Sequence, residues 1–160
     1  MKYFTLAEFV KSDTAVRMGI DNTPAQWQID NVNELVDNLL DDLRADWGKY
    51  CAEHELGTPA IRVSSGIRSE ALNRAVGGSK TSAHYTGHAA DLVPYNGRLD
   101  HFKKFCYDWL QDKEFDQMIS ENENSKGVPG WIHIGYKNRS GQQRKQFLIM
   151  KNNKYYLLKM

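Results

Sequence analysis

Two short segments constrain the fold more than any other part of the chain: His88-Ala-Ala-Asp91-Leu-Val-Pro94 and Trp131-Ile-His133-Ile-Gly-Tyr136. Both read as strands, and alternate residues of a strand face opposite sides of its sheet. Ala89, Asp91 and Val93 therefore share one face while Ala90 and Leu92 share the other. In the second segment Trp131, His133 and Gly135 lie opposite Ile132, Ile134 and Tyr136. If Leu92, Ile132 and Ile134 point into a helix-covered core, Asp91 and His133 must meet on the open face. The expectation is an α+β fold, with a mainly antiparallel sheet backed by helices on one side.

The remaining elements fit that plan. Thr5-Leu-Ala-Glu8 has the capping-box spacing, so a short helix should start there with Phe4, Leu6, Phe9 and Val10 inward. After a polar interval, Asn22-Thr-Pro24 offers a cap and a proline for the first helical turn. Val32, Leu35, Val36, Leu39, Leu40, Leu43 and Trp47 then recur at helical spacing, which predicts a long scaffold helix over about 24–47. A strand is expected at Ile61–Ser64, a short helix from Ser69 to Val76 stopped by Gly77-Gly78, and a loop up to Gly87. Phe102, Phe105, Cys106, Trp109 and Leu110 predict another amphipathic helix, and Phe115–Glu121 another strand. Residues 146–158 read as a hairpin around Lys151-Asn-Asn-Lys154.

At 160 residues without a repeat, linker or low-complexity tract, the chain is expected to form one domain over 1–160, with its chemistry concentrated in about 61–136. Lys plus Arg number 21 against 20 Asp plus Glu with no basic block, which argues against a nucleic-acid partner. Cys51 and Cys106 are too few for a disulfide framework and too far apart for a CxxC motif, so both are expected as buried or semi-buried thiols. No stretch approaches the roughly 20 apolar residues of a membrane span. Residues 1–10 lack the apolar run of a signal peptide, so synthesis in the cytoplasm is expected.

Ser82-Ala-His84-Tyr-Thr-Gly87-His88-Ala-Ala-Asp91 is poor core material, yet it is dense in metal-capable groups. A catalytic zinc takes about three His, Asp or Glu ligands and keeps one position for water. His84, Asp91 and His133 supply such a set, and the small residues at 83, 87, 89 and 90 allow close approach. His84 and His88 also stand at the spacing of a helical metal pair. The HExxH pattern, however, needs Glu where Tyr85 stands, and Gly87 disfavours a helix through the stretch. His88 is therefore set aside as a neighbour of the site or a residue of the other sheet face. A zinc-activated water makes hydrolysis the natural reaction class.

Ser82-x-His84-x-x-Gly87-x-Ala89-x-Asp91, followed by Trp131-x-His133, resembles the signature of the zinc D-alanyl-D-alanine carboxypeptidase family. That family shares its fold with the hedgehog signalling domain and includes phage endolysins. Ser65-Gly66-x-Arg68-Ser69, Leu72-Asn73 and Val76-Gly77-Gly78-Ser79 are similar to the family's approach to its metal, and the resemblance runs from the Phe-Thr-Leu-x-Glu segment to Tyr136. It implies the hedgehog/DD-peptidase-like fold, His84, Asp91 and His133 as zinc ligands, and Arg68 as the guanidinium for a substrate carboxylate or the reacting carbonyl oxygen. Ser82 would brace the metal loop or contact substrate.

Several branches of the family place the catalytic base three residues before the last ligand, where this chain has Gly130. Glu121, at the end of the strand expected to pair with Trp131–Tyr136, is the candidate base, and Gln117 shares its parity. Asp116 should point the other way. Tyr85, Trp131 and Tyr136 are candidate cleft aromatics. The resulting expectation is a zinc metallopeptidase acting on peptidoglycan stem peptides, either a carboxypeptidase or an endolysin-like endopeptidase. It would reach the cell wall by phage-type, holin-dependent release, without stable membrane insertion. The rival is a non-catalytic phage structural or binding module that keeps fold and metal.

Overall fold

The apolar stripe of the central helix covers one side of the sheet. In the computed structural model, which describes residues 1–160, Gln26–Leu35 (α3) passes through a π-helical turn, Val36–Leu40, into Asp41–Glu53 (α4). All seven stripe residues from Val32 to Trp47 are at most 1% exposed, as their spacing predicts. The helix begins at Gln26 rather than Pro24 and continues past Trp47 to Glu53. Gln28 satisfies its first turn, with Oε1 accepting from the Ala25 amide at 2.9 Å.

Asn22, expected as a helix cap, is instead a buried bracket. Its amide donates to the Val10 and Ile67 carbonyls at 2.8 and 3.0 Å, and its oxygen accepts from the Ser69 amide at 2.7 Å. It thereby ties Leu6–Val10 (α1) to the segment that carries Arg68. The Glu8 carboxylate caps α1, accepting from the Thr5 amide at 2.7 Å.

Six strands form one sheet in the order β1-β2-β4-β3-β5-β6: Ile61–Ser65 (β1), Ala89–Pro94 (β2), Gln117–Glu121 (β3), Trp131–Gly135 (β4), Gln146–Lys151 (β5) and Lys154–Leu157 (β6). Every pairing is antiparallel except β3 with β5, which is parallel. The β5–β6 hairpin turns through Asn152 and Asn153 at φ 51° and 59°, the left-handed pair that a two-residue hairpin loop requires. Leu92, Met118, Ile132 and Ile134 are fully buried beneath the helices. Leu99–Trp109 (α7) adds Phe102 and Phe105, whose rings lie 5.0 and 5.3 Å from Trp47. Cys51 and Cys106 are buried free thiols. No helix is long and apolar enough to cross a membrane.

Two helices fall where none is expected. Asp13–Met18 (α2) lies in the polar interval and buries only Ala15, so it has no apolar period to read. Its signals are its caps: the Ser12 hydroxyl accepts from the Ala15 amide at 3.1 Å, and Gly19 closes it at φ 65°. Glu70–Ala75 (α5) matches its prediction, whereas Ala83–Thr86 (α6) is a single helical turn inside the expected loop.

Asn22→Ala should strand two buried carbonyls and one amide. Each unpaired group costs about 1–3 kcal/mol, so urea unfolding should show a loss of several kcal/mol.

Candidate metal centre and cleft

Strand register builds the site. Asp91 of β2 stands directly opposite His133 of β4, and both side chains lie on the face turned away from the helices. The third member comes from α6. The Ser82 hydroxyl caps that turn by accepting from the His84 amide at 3.2 Å, and Gly87 ends it at φ 85°. A Cβ on Gly87 would sit 2.5 Å from the Gln28 carbonyl oxygen, so the close approach of α6 to α3 requires glycine as well. Gln28 and Asn31 then fix the turn from α3, donating to the Tyr85 and Thr86 carbonyls at 2.7 and 2.8 Å.

His84, Asp91 and His133 each offer one ligand atom within 4.8 Å of the other two, and all three residues are buried. Asp91 Oδ1 is 3.2 Å from His84 Nε2 and 3.0 Å from His133 Nδ1. His84 Nδ1 is 2.8 Å from the Gly66 carbonyl, which can only accept, so the proton sits on Nδ1 and a lone pair remains on Nε2. That lone pair faces a carboxylate oxygen. Burial also holds the His84 pKa down, against the pull of Asp91, which keeps the imidazole neutral. Two acceptors aimed at each other in a buried place call for a cation between them. The backbone partner on the far ring nitrogen is how metal-ligating histidines are usually oriented. The donor set therefore fits a zinc ion bound through His84 Nε2, an Asp91 oxygen and His133 Nδ1.

Burial would raise the Asp91 pKa, but the two imidazoles override it and hold the carboxyl far below its ordinary value. His133 is the reverse case. Burial alone would lower it, yet its bond to Asp91 raises it overall.

The triad lies in a cleft of about 500 Å³ whose walls are mostly polar. Arg68 borders it at 18% side-chain exposure, with Nη2 3.9 Å from Asp91 Oδ2. It is thus largely buried beside the triad, not a surface ion pair. Ser82, Gln117, Glu121 and Trp131 also line the cleft. Glu121 pairs with Trp131 in the β3–β4 register and brings Oε1 to 3.9 Å from His133 Nδ1. Burial, then the Asp91 charge, raises its pKa against the opposing effects of His133, Trp131 and Arg68. The Trp131 indole N–H is near enough to contribute but makes no well-aligned hydrogen bond.

Several expected placements need correction. Tyr85 and Tyr136 do not line the cleft. Tyr85 turns to Trp27 of α3 at 5.7 Å, and Tyr136 follows the inward parity of Ile132 and Ile134 to pack against the core. Asp116 does border the cleft, because it precedes β3 and escapes the strand's parity, but Arg144 engages both of its oxygens at 2.8 and 2.9 Å. His88 lies away from the triad, 3.4 Å from Glu34 of α3. Sequence reasoning missed the far wall, made by Asn138, Arg144, Leu148 and Tyr155. Alternation along the hairpin was the available signal, since Phe147 and Ile149 pack on the core and leave Leu148 and Tyr155 for the open face.

A mostly antiparallel sheet thus carries helices on one face and, on the other, a buried His-Asp-His donor set in a polar cleft, an arrangement suited to holding a metal for hydrolysis. The Peptidase M15 family model matches residues 2–134, and the chain belongs to that family. Over 46 residues it is 44% identical to a zinc D-Ala-D-Ala carboxypeptidase of Streptomyces albus G. That stretch is 29% of this chain and 18% of the relative.

His84→Ala, Asp91→Ala and His133→Ala should each lose the roughly one equivalent of zinc that wild type is expected to hold when read by elemental analysis. Zinc needs neutral imidazoles, and Asp91 keeps His133 protonated to higher pH than an ordinary histidine. Zinc affinity should therefore rise with pH through that elevated range and level off above it, as competition with a chelator would show.

Proposed function

We propose that this chain is a zinc-dependent peptidase that cleaves peptidoglycan stem peptides at a bond involving a D-amino acid. The observation that carries the hydrolytic part is Glu121, a carboxyl with a raised pKa set 3.9 Å from His133 in the same cleft. The substrate class is supported by the family and by the D-Ala-D-Ala carboxypeptidase relative.

His84, Asp91 and His133 would hold the zinc. When bound, zinc supplies a Lewis acid and lowers the pKa of a bound water. The chain's own groups divide the remaining work. Glu121 accepts the proton of the attacking water and returns it to the leaving amine, a task for which a carboxyl whose pKa is raised by burial is suited. Arg68 offers its fork to the oxygen of the scissile carbonyl or to a substrate carboxylate, and burial beside Asp91 limits its freedom to swing away. Ser82 keeps α6, and with it His84, in place. Gln117 and Trp131 orient the peptide along β3 and β4. The proposed setting is that of a phage-type lysin reaching the wall after release through a holin, which rests on the motif's resemblance to endolysins.

Gly130 favours a second reading. It occupies the position where several branches of the family carry the base, as it would in a binding module that keeps fold and metal without turnover.

Digestion of purified peptidoglycan, read by mass spectrometry, separates the two. Wild type should release peptides cut at one type of bond. Glu121→Gln should keep its zinc and lose at least about a hundredfold in rate, in keeping with the 10²–10⁴ range of general acid–base catalysis. Full activity in that variant would move the base to another group, and zinc-loaded wild type without products would favour the binding module.

A further inference from the structure

The cleft wall beyond residue 134 carries a second guanidinium that the hydrolytic site does not use. Asp116 is 2% exposed, and Arg144 closes on it through Nε to Oδ1 at 2.8 Å, Nη2 to Oδ2 at 2.9 Å and its own amide to Oδ1 at 3.2 Å. The neighbouring backbone completes the staple: the Lys145 amide donates to the Phe115 carbonyl at 3.1 Å and the Gln146 amide to the Asp116 carbonyl at 2.9 Å. Two of the three guanidinium nitrogens are thus committed. The third, Nη1, has no protein partner, the side chain is 39% exposed, and the residue lines the cleft that holds the triad.

An arginine pinned along one edge by a buried carboxylate loses little conformational freedom on meeting an anion with its other edge. A structural staple alone would not require the guanidinium to border the cleft. Its place along the sheet sets a distance. Ile119 lies in register with His133, and Asp116 is three positions earlier in the chain, about 10 Å at roughly 3.3 Å per residue. That separation matches about three residues of extended peptide, or a long side chain on a residue next to the reacting bond. Arg68 lies beside Asp91, across His133 from this wall.

We propose that Arg144, pre-set by Asp116, is a specificity-determining residue that selects peptides with a free carboxylate within about three residues of the scissile bond, on the β5 side of the cleft. This rests on the peptidase reading for the identity of the bond, but not for the recognition itself. Substrates with an amidated or absent carboxylate at that position are disfavoured, because they leave Nη1 without a charged partner.

The test uses N-acetyl peptides that contain a D-alanyl-D-alanine bond and a single Glu or Gln at each position within about three residues of it. Turnover by the zinc-loaded protein gives KM and kcat, and calorimetry in the zinc-loaded Glu121→Gln background gives binding without chemistry. At one position Glu should be preferred over Gln by about tenfold or more in both KM and binding, in keeping with a charge-assisted hydrogen bond. In Arg144→Gln the ratio should collapse towards one. A purely structural staple would instead weaken Glu and Gln peptides alike. Should Arg144→Gln fail to fold, Arg144→Lys, which keeps the charge but not the fork, should retain only part of the preference. No position preferring Glu, or an undiminished preference in the folded variants, would overturn the proposal. If no peptide is cleaved the peptidase reading falls, while the binding ratio still decides the role of Arg144.

Discussion

The structure turns on one contact, the pairing of Asp91 with His133 across β2 and β4 at 3.0 Å. Burying a carboxylate costs several kcal/mol unless it is matched by partners. Here the partners come from separate places: His133 from the adjoining strand, His84 from α6, and Arg68 from the segment after β1. Strand pairing places His133, while the other two are held by hydrogen bonds whose purpose is otherwise hard to see. Asn22 secures the Arg68 segment, Gln28 and Asn31 secure α6, and the Gly66 carbonyl orients the His84 ring. The helices thus act on the site through polar ties as well as through apolar burial.

That division explains what was legible in the sequence. Strand alternation reports faces, so Asp91 and His133 were placed opposite Leu92, Ile132 and Ile134 by parity alone, and the helical stripe from Val32 to Trp47 gave the element that covers the core. Glu121 could be put beside Trp131 because a strand pair carries its own ruler. Features that depend on caps and not on apolar period were lost: α2 buries a single residue, and α6 lasts one turn. Asn22 shows the same limit from another side, since a residue suited to capping by type was taken up by three long-range hydrogen bonds.

Alternation gives Leu148 and Tyr155 a face but not a place in the sheet, for a topological reason. A hairpin following β4 invites the assumption that it pairs with its nearest neighbour in sequence. In fact β5 joins β3 in parallel, so the chain passes from β4 over the end of the sheet before it can enter β5. Leu148 and Tyr155 reach the cleft only by that route. The family match ends at residue 134, so this wall lies outside the part of the chain that the family model describes.

The crossover at 136–145 has a consequence for how such a protein can change over time. It runs between two strands that are already anchored, with Arg144 fastening one end to Asp116 and the Asn138 oxygen accepting from the Ser140 and Gln142 amides within it. Loop closure entropy grows slowly with length, so residues can be inserted or exchanged there at small thermodynamic cost. The row Asp91–His133–Ile119 is set by strand pairing and would not shift its register. The metal-capable row and the far wall of the cleft are thus lodged in segments that can vary separately, so the outline of the cleft can change without rebuilding the His84–Asp91–His133 cluster.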